Sequence, residues 1–207
     1  MAAPAARIDP SRLFVILLSA LLLGLAVGLG WSRWRNQPYQ APALQSMWLV
    51  LVAFLPQLFI AYLPVSHFLL PDWLAASSLA ASLIVFLVFV LLNRRLPGMP
   101  ILIIGLGLNL IVILANRGWM PISPQTASQL MGGNTVQSFS LGSRFGEKDI
   151  LLLPQDMHFE ILADRFLLPD WSPYKVAFSL GDILVALGVF WLLAKPANQP
   201  EGQRSEP

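Results

Sequence analysis

Five long apolar stretches, divided by three short polar breaks and one long one, set the pattern of the chain. They run from Leu13 to Trp31, Met47 to Leu63, Leu74 to Leu92, Ile101 to Ala115 and Ala177 to Ala194. The apolar residues come in blocks, which the three-to-four spacing of a half-buried soluble helix would break up. A helix needs about 20 residues, rising about 1.5 Å each, to cross a hydrocarbon core of about 30 Å. All five stretches meet or approach that length. The second is interrupted by Pro56, the fourth is short and opened by Pro100, and the fifth carries Asp182 near its start. Helices are the expected form, because an open strand cannot satisfy its backbone in lipid. The pattern therefore predicts an all-α, polytopic transmembrane bundle of about five spans over residues 13–194. A tail of residues 1–12 precedes it, and a disordered Gln/Pro/Glu/Ser-rich tail of residues 195–207 follows.

The breaks differ in kind. Residues 32–46 and 93–100 are short, whereas residues 116–176 form the one sizeable non-membrane segment and hold more than half of the acidic residues. Within that loop, Ser123-Pro124 reads as an N-cap followed by proline at the first helical position, with a short helix to about Leu130. A second short helix is expected over Met157–Asp164. The six residues Phe68–Trp73 recur as Phe166–Trp171, each copy just before a span. Their proline, aspartate and tryptophan suit an interfacial collar.

Composition agrees with lipid as the solvent. Hydrophobic residues make up 56% of the 207 positions and charged residues 12%, against about 25% charged in soluble domains. The net charge of +2 is too small for a patch that holds a nucleic-acid backbone, so no nucleic-acid partner is expected. Cysteine is absent, which removes disulfides, thiolate metal sites and cysteine nucleophiles. Arg7 and Arg12 before an apolar run resemble a signal peptide. The run is about 18 residues, longer than the usual signal core of about 7–15, so an uncleaved first span is the expectation. With five spans, Arg33, Arg35, Arg94, Arg95, Lys195 and Arg204 share one side. The positive-inside rule then puts the C-terminus in the cytoplasm and the N-terminus and the 116–176 loop outside.

Polar residues inside apolar runs are the candidates for function, because each costs free energy in lipid. Asp182 leads, read as about one and a half turns into its helix after Ser179 and Gly181. Asn116 and Arg117 end the fourth stretch on the same face, and an Asp182–Arg117 pair is the favoured structural reading. Asn109 and Gln57 lie mid-span. Interhelical hydrogen bonding is the simpler account of them, and a mid-membrane polar pocket with Asp182 is the alternative. Gly24 and Gly28 form a G-x-x-x-G step that favours close helix packing, within the chain or in a dimer. His158 between Asp156 and Glu160 does not place three ligands on one helix face. With His67 the only other histidine, no metal and no other cofactor is expected. No nucleophile–base order or phosphate-cradling loop stands out.

One resemblance is specific. The run Leu96-Pro97-Gly98-Met99-Pro100, then Gly105, Gly107 and Asn109, and then Asn116-Arg117-Gly118-Trp119-Met120-Pro121 resembles an uncharacterised family of bacterial polytopic membrane proteins. It is a domain of unknown function with an Asn-x-Gly-x-Met-Pro signature just after a span. Here Arg117 replaces a glycine of that signature. Leu162–Phe166 and Phe178-Ser179-Leu180-Gly181-Asp182 look like the family's second signature, of Ser-x-Gly-Asp form, and Leu55-Pro56-Gln57 fits loosely. The resemblance covers most of residues 13–194 and implies a small helical protein of the bacterial inner membrane, without supplying an activity. Two functions follow as expectations. The first is a non-enzymatic structural or accessory subunit, with the lipid bilayer and a homo-oligomer or larger membrane complex as partners. The alternative is a small-solute or proton-coupled transporter using a polar cluster of Asp182, Ser179, Asn116, Arg117, Asn109 and Gln57. An intramembrane lipid enzyme has one acid and no convincing second group.

Overall fold

A computed structural model describes residues 11–62, 71–131, 139–146, 148–169, 171–172 and 174–195. The N-terminal tail up to residue 10, the first copy of the repeated hexapeptide over residues 68–70, Asp170 of the second copy, and the C-terminal tail from residue 196 lie outside the described residues. Each apolar stretch contains a helix. These are α1 (Ser11–Trp34), α2 (Trp48–Tyr62), α3 (Asp72–Leu92), α4 (Met99–Ala115) and, after the loop segment, α6 (Leu180–Ala194). The short α5 (Pro124–Met131) lies between α4 and α6. Its N-cap is Ser123, whose Oγ accepts from the Thr126 amide at 3.1 Å.

The helices pack as a row. α6 lies between α1 and α4, and α3 lies between α4 and α2. Glycine sets the spacing at two of these contacts. A Cβ on Gly24 would sit 2.7 Å from the Phe190 carbonyl oxygen, and Gly28 faces the Leu193 carbonyl in the same way, so the G-x-x-x-G step of α1 packs on α6 of its own chain. Across α4 and α6, a Cβ on Gly105 would come within 2.8 Å of the Gly181 carbonyl oxygen, and one on Gly188 within 3.0 Å of the Gly98 carbonyl oxygen. The pairing 98 with 188 and 105 with 181 makes α4 and α6 antiparallel. Small residues that let backbones touch are the usual glue between apolar helices that gain nothing from water exclusion. Phe89, Val90, Met99, Leu102, Leu106, Val185 and Leu192 form the buried core of this part.

The ends of the bundle differ. At one end Asn93 ties the α3–α4 turn to the α1–α2 connection. Its Nδ2 donates to the Gln45 carbonyl at 3.1 Å and its Oδ1 accepts from the Gln45 amide at 2.8 Å. Tyr39 Oη donates to the Leu193 carbonyl at 2.9 Å, which brings the same connection against the end of α6. At the other end the described residues between 116 and 178 form a small cap. Strands β1 (Met120–Ile122), β2 (Arg144–Phe145) and β3 (Asp149–Leu151) make a sheet in the order β1-β3-β2, with β1 parallel and β2 antiparallel to β3. A second pair, β4 (Phe166–Leu167) and β5 (Ala177–Phe178), is antiparallel. Ile122, Ala127, Leu130, Phe145, Leu151 and Ala177 form the cap's own core.

The cap corrects the all-α expectation: the chain is mostly helical, with strands in the long loop. The expected helix over Met157–Asp164 is absent. Two single 3-10 turns, Pro154–Asp156 and Glu160–Leu162, stand there, and Phe159 between them has a left-handed φ of +60°. About five spans is also more than helix length supports. By length and composition two helices can cross a membrane, α1 over Val15–Trp34 and α3, while α2, α4 and α6 are shorter apolar helices. α4 ends at Ala115, as read from the sequence, and the shortening of α6 has a local cause. Ala177 and Phe178, read as the first residues of the fifth span, pair with β4 instead, so α6 starts three residues later.

Candidate functional site at the cap–bundle junction

Because α6 starts at Leu180, Asp182 lies in its first turn and not one and a half turns inside. Ser179 and Asp182 form a capping box. Ser179 Oγ accepts from the Asp182 amide at 3.1 Å, and Asp182 Oδ2 accepts from the Ser179 amide at 3.0 Å. The carboxylate thus satisfies a helix-end donor and lies at the positive end of the helix dipole. Asn109, buried on α4, closes the set: its Nδ2 donates to Asp182 Oδ1 at 2.8 Å, and its Oδ1 accepts from Ser179 Oγ at 3.0 Å. Gly181 is what lets Asn109 in, since a Cβ there would occupy the position of the Asn109 amide oxygen.

The cation beside Asp182 comes from the cap. Lys148, just before β3, places its Nζ 3.8 Å from Asp182 Oδ2 and 2.7 Å from Asp164 Oδ2. Asp164 follows the second 3-10 turn and is 1% exposed, against about a fifth for the Lys148 and Asp182 side chains. Its amide donates to the Pro121 carbonyl at 3.1 Å, which pins the segment to β1. Burial pushes the Asp164 carboxyl well above the usual carboxylate range; Lys148 opposes this, and Asp149 and Asp182 add to it. Burial works against the charge on Lys148, but the carboxylates of Asp164, Asp182 and Asp149 outweigh it and hold the ammonium above its ordinary value.

The structure brings together Ser179, Asp182 and Asn109 of the residues singled out from sequence, and leaves the others elsewhere. Arg117 is exposed and forms no ion pair with Asp182, so the expected Asp182–Arg117 pair is replaced by Asp182–Lys148. Arg117 has a left-handed φ of +61° just past the end of α4. Asn116 is buried, but it clamps the cap. Its Nδ2 donates to the His158 carbonyl at 2.9 Å, and its Oδ1 accepts from the His158 amide at 3.0 Å. Gln57, half-buried on α2, takes no part in the Asp182 hydrogen bonds. Among the described residues, no group of three or more histidine and acidic side chains is placed to hold a metal ion. An open cleft of about 790 Å³ lies beside Asn116, Arg117, Asp156 and His158, away from Asp182.

Lys148 and Asp164 were not singled out from the sequence. Asp164 falls inside the family-like run Leu162–Phe166, so the segment was marked but the residue was not. Ser179-Leu-Gly-Asp182 before an apolar run is itself a capping-box pattern, a signal that placed the helix start correctly had it been weighted above hydropathy.

These features define a helical bundle of apolar rods closed at one end by a small strand-bearing cap. Residues 42–194 match the model of DUF5317, a family of unknown function, and the chain belongs to that family. No curated protein and no solved structure matches it.

Proposed function

We propose that the protein is a multi-pass membrane protein acting as a non-enzymatic structural or accessory subunit, with α1, α2, α3, α4 and α6 embedded in the bilayer. Leu22, Leu23, Leu51, Leu55, Ile104, Leu114 and Leu187 are exposed on these helices, an apolar surface that suits lipid and not water. Exposed tryptophans mark the ends of the rods. Trp31, Trp34, Trp48 and Trp191 gather towards the end where Asn93 and Tyr39 make their ties, and Trp73 opens α3 at the other. Arg33, Arg35, Arg94, Arg95 and Lys195 sit at the first of these ends, which is therefore assigned to the cytoplasm, with the cap outside.

The observation that carries the subunit reading is the state of Asp182. Its carboxylate is spent on the capping box of α6, on Asn109 of α4 and on Lys148 of the cap, and none of these presents it to a substrate. Two measurements test this. The chain stays in the membrane pellet under an alkaline carbonate wash, and its release to the supernatant overturns the membrane assignment. In native membranes Asp182→Asn weakens a detergent-stable assembly seen on native gels. An intact assembly with lost solute or proton movement overturns the subunit reading in favour of a transporter.

A further inference from the structure

Between cap and bundle, one ammonium is shared by two carboxylates that belong to different parts of the fold. Lys148 reaches Asp164 in the cap and Asp182 on α6. The two acids are not equivalent. Asp182 accepts hydrogen bonds from Asn109 and the Ser179 amide, so each of its oxygens has a donor. Asp164 is 1% exposed, and its Oδ1 accepts no hydrogen bond. A buried carboxylate oxygen without a donor is costly, whereas a neutral carboxyl group in the same place is far less so.

The other charged groups around Asp164 can be named element by element. Asp149 follows Lys148 on β3, and Arg144 lies on β2, paired with β3. β1, bridged to Asp164 through Ile122, has no titratable residue. Arg165 and Glu160 of the same segment are exposed. Asp149 adds its carboxylate to those of Asp164 and Asp182, so Lys148 faces more than one acid with one charge.

We infer that Asp164 is a proton-binding site that fastens the cap to the bundle: with Asp164 protonated, Lys148 is left to pair with Asp182 across the junction, and loss of that proton divides Lys148 between two carboxylates and loosens the cap. Burial, which raises the Asp164 carboxyl, fixes the sign. A group raised in the folded state contributes stability that is complete below its unfolded value and is lost as pH rises through its folded value. The cap is therefore tightest on the acidic side and opens as the medium becomes more alkaline. This inference concerns the cap alone and holds whether or not the chain is a subunit of something larger.

The test uses the purified full-length protein in detergent micelles. Infrared difference spectra over pH show a protonated-carboxyl band that persists above the ordinary aspartate range and that is missing in Asp164→Asn. Hydrogen exchange of the β3 and β4 amides, corrected for intrinsic rates, speeds up about tenfold as that band disappears. In Asp164→Asn, whose side chain is always neutral, exchange stays slow at every pH. Lys148→Met, which keeps the stem and removes the charge, moves the band's titration upward by about one pH unit or more. The inference is overturned by absence of the band above the ordinary aspartate range in the wild-type protein. It is equally overturned by a band unmoved in Lys148→Met, or by Asp164→Asn exchange that follows the wild-type pH dependence.

Discussion

α6 is held by opposite physics along its length and at its first turn. Along its length it meets α4 backbone to backbone, through Gly98, Gly105, Gly181 and Gly188. At its first turn Ser179 and Asp182 hydrogen-bond Asn109 of α4 and Asp182 meets Lys148 of the cap, so almost every contact there is polar. The first contact depends on shape: it tolerates pH and salt and does not tolerate volume. The second depends on charge and hydrogen-bond count: it tolerates small changes of volume and responds to protons. The comparison teaches that the cap, and not the bundle, is the part of this molecule that conditions can adjust.

The largest expected effect is on the shape-dependent contact. Gly98 has φ +85°, and an added Cβ would lie 2.7 Å from the Leu192 amide nitrogen. Gly98→Ala combines backbone strain with overpacking and costs about 3 kcal/mol, read as a lowered melting temperature in detergent that is the same at pH 5 and pH 8. Next, Asp182→Ala removes a capping box and a charge-assisted hydrogen bond, a loss of about 2 kcal/mol. Its hydrogen-exchange signature falls on the cap and the first turn of α6, while the Gly98–Gly188 end is unchanged. A uniform loss along α6 breaks the division drawn above. Asn116→Ala leaves the His158 backbone groups unclamped and costs about 1.5 kcal/mol, with proteolytic nicking near residue 158 as the readout. The smallest change sharpens the comparison. Arg117→Ala shifts stability by less than about 0.5 kcal/mol, since the cation serving Asp182 is Lys148; a loss comparable to that of Asp182→Ala contradicts this assignment.

The bundle was largely legible in the sequence, and the junction only in part. Blocks of apolar residues located α1, α2, α3, α4 and α6, because the helix is the one local form that satisfies the backbone without partners. The ends of those helices were read less well. Hydropathy extended the fifth stretch back to Ala177, yet Ala177 and Phe178 have a pairing strand 11 or so residues upstream, and strand pairing is invisible to a window average. Asn109, Ser179 and Asp182 stood out as costly polar residues in apolar runs. Arg117 also stood out, by proximity in sequence, and the cation beside Asp182 is Lys148 instead. Lys148 and Asp164 looked like ordinary loop charges.

By itself, the sequence determined the apolar and helical character of the rods, the glycine step at which α1 packs, and the fact that Asp182 needs a partner. Each of these is a local property, set by one residue's side chain or its near neighbours. Only the tertiary structure decided which partner Asp182 receives, where α6 begins, and that one lysine serves two acids. Those depend on segments 16 to 73 residues apart meeting at one point, and loop closure over such distances costs little enough that the chain is free to choose among many cations.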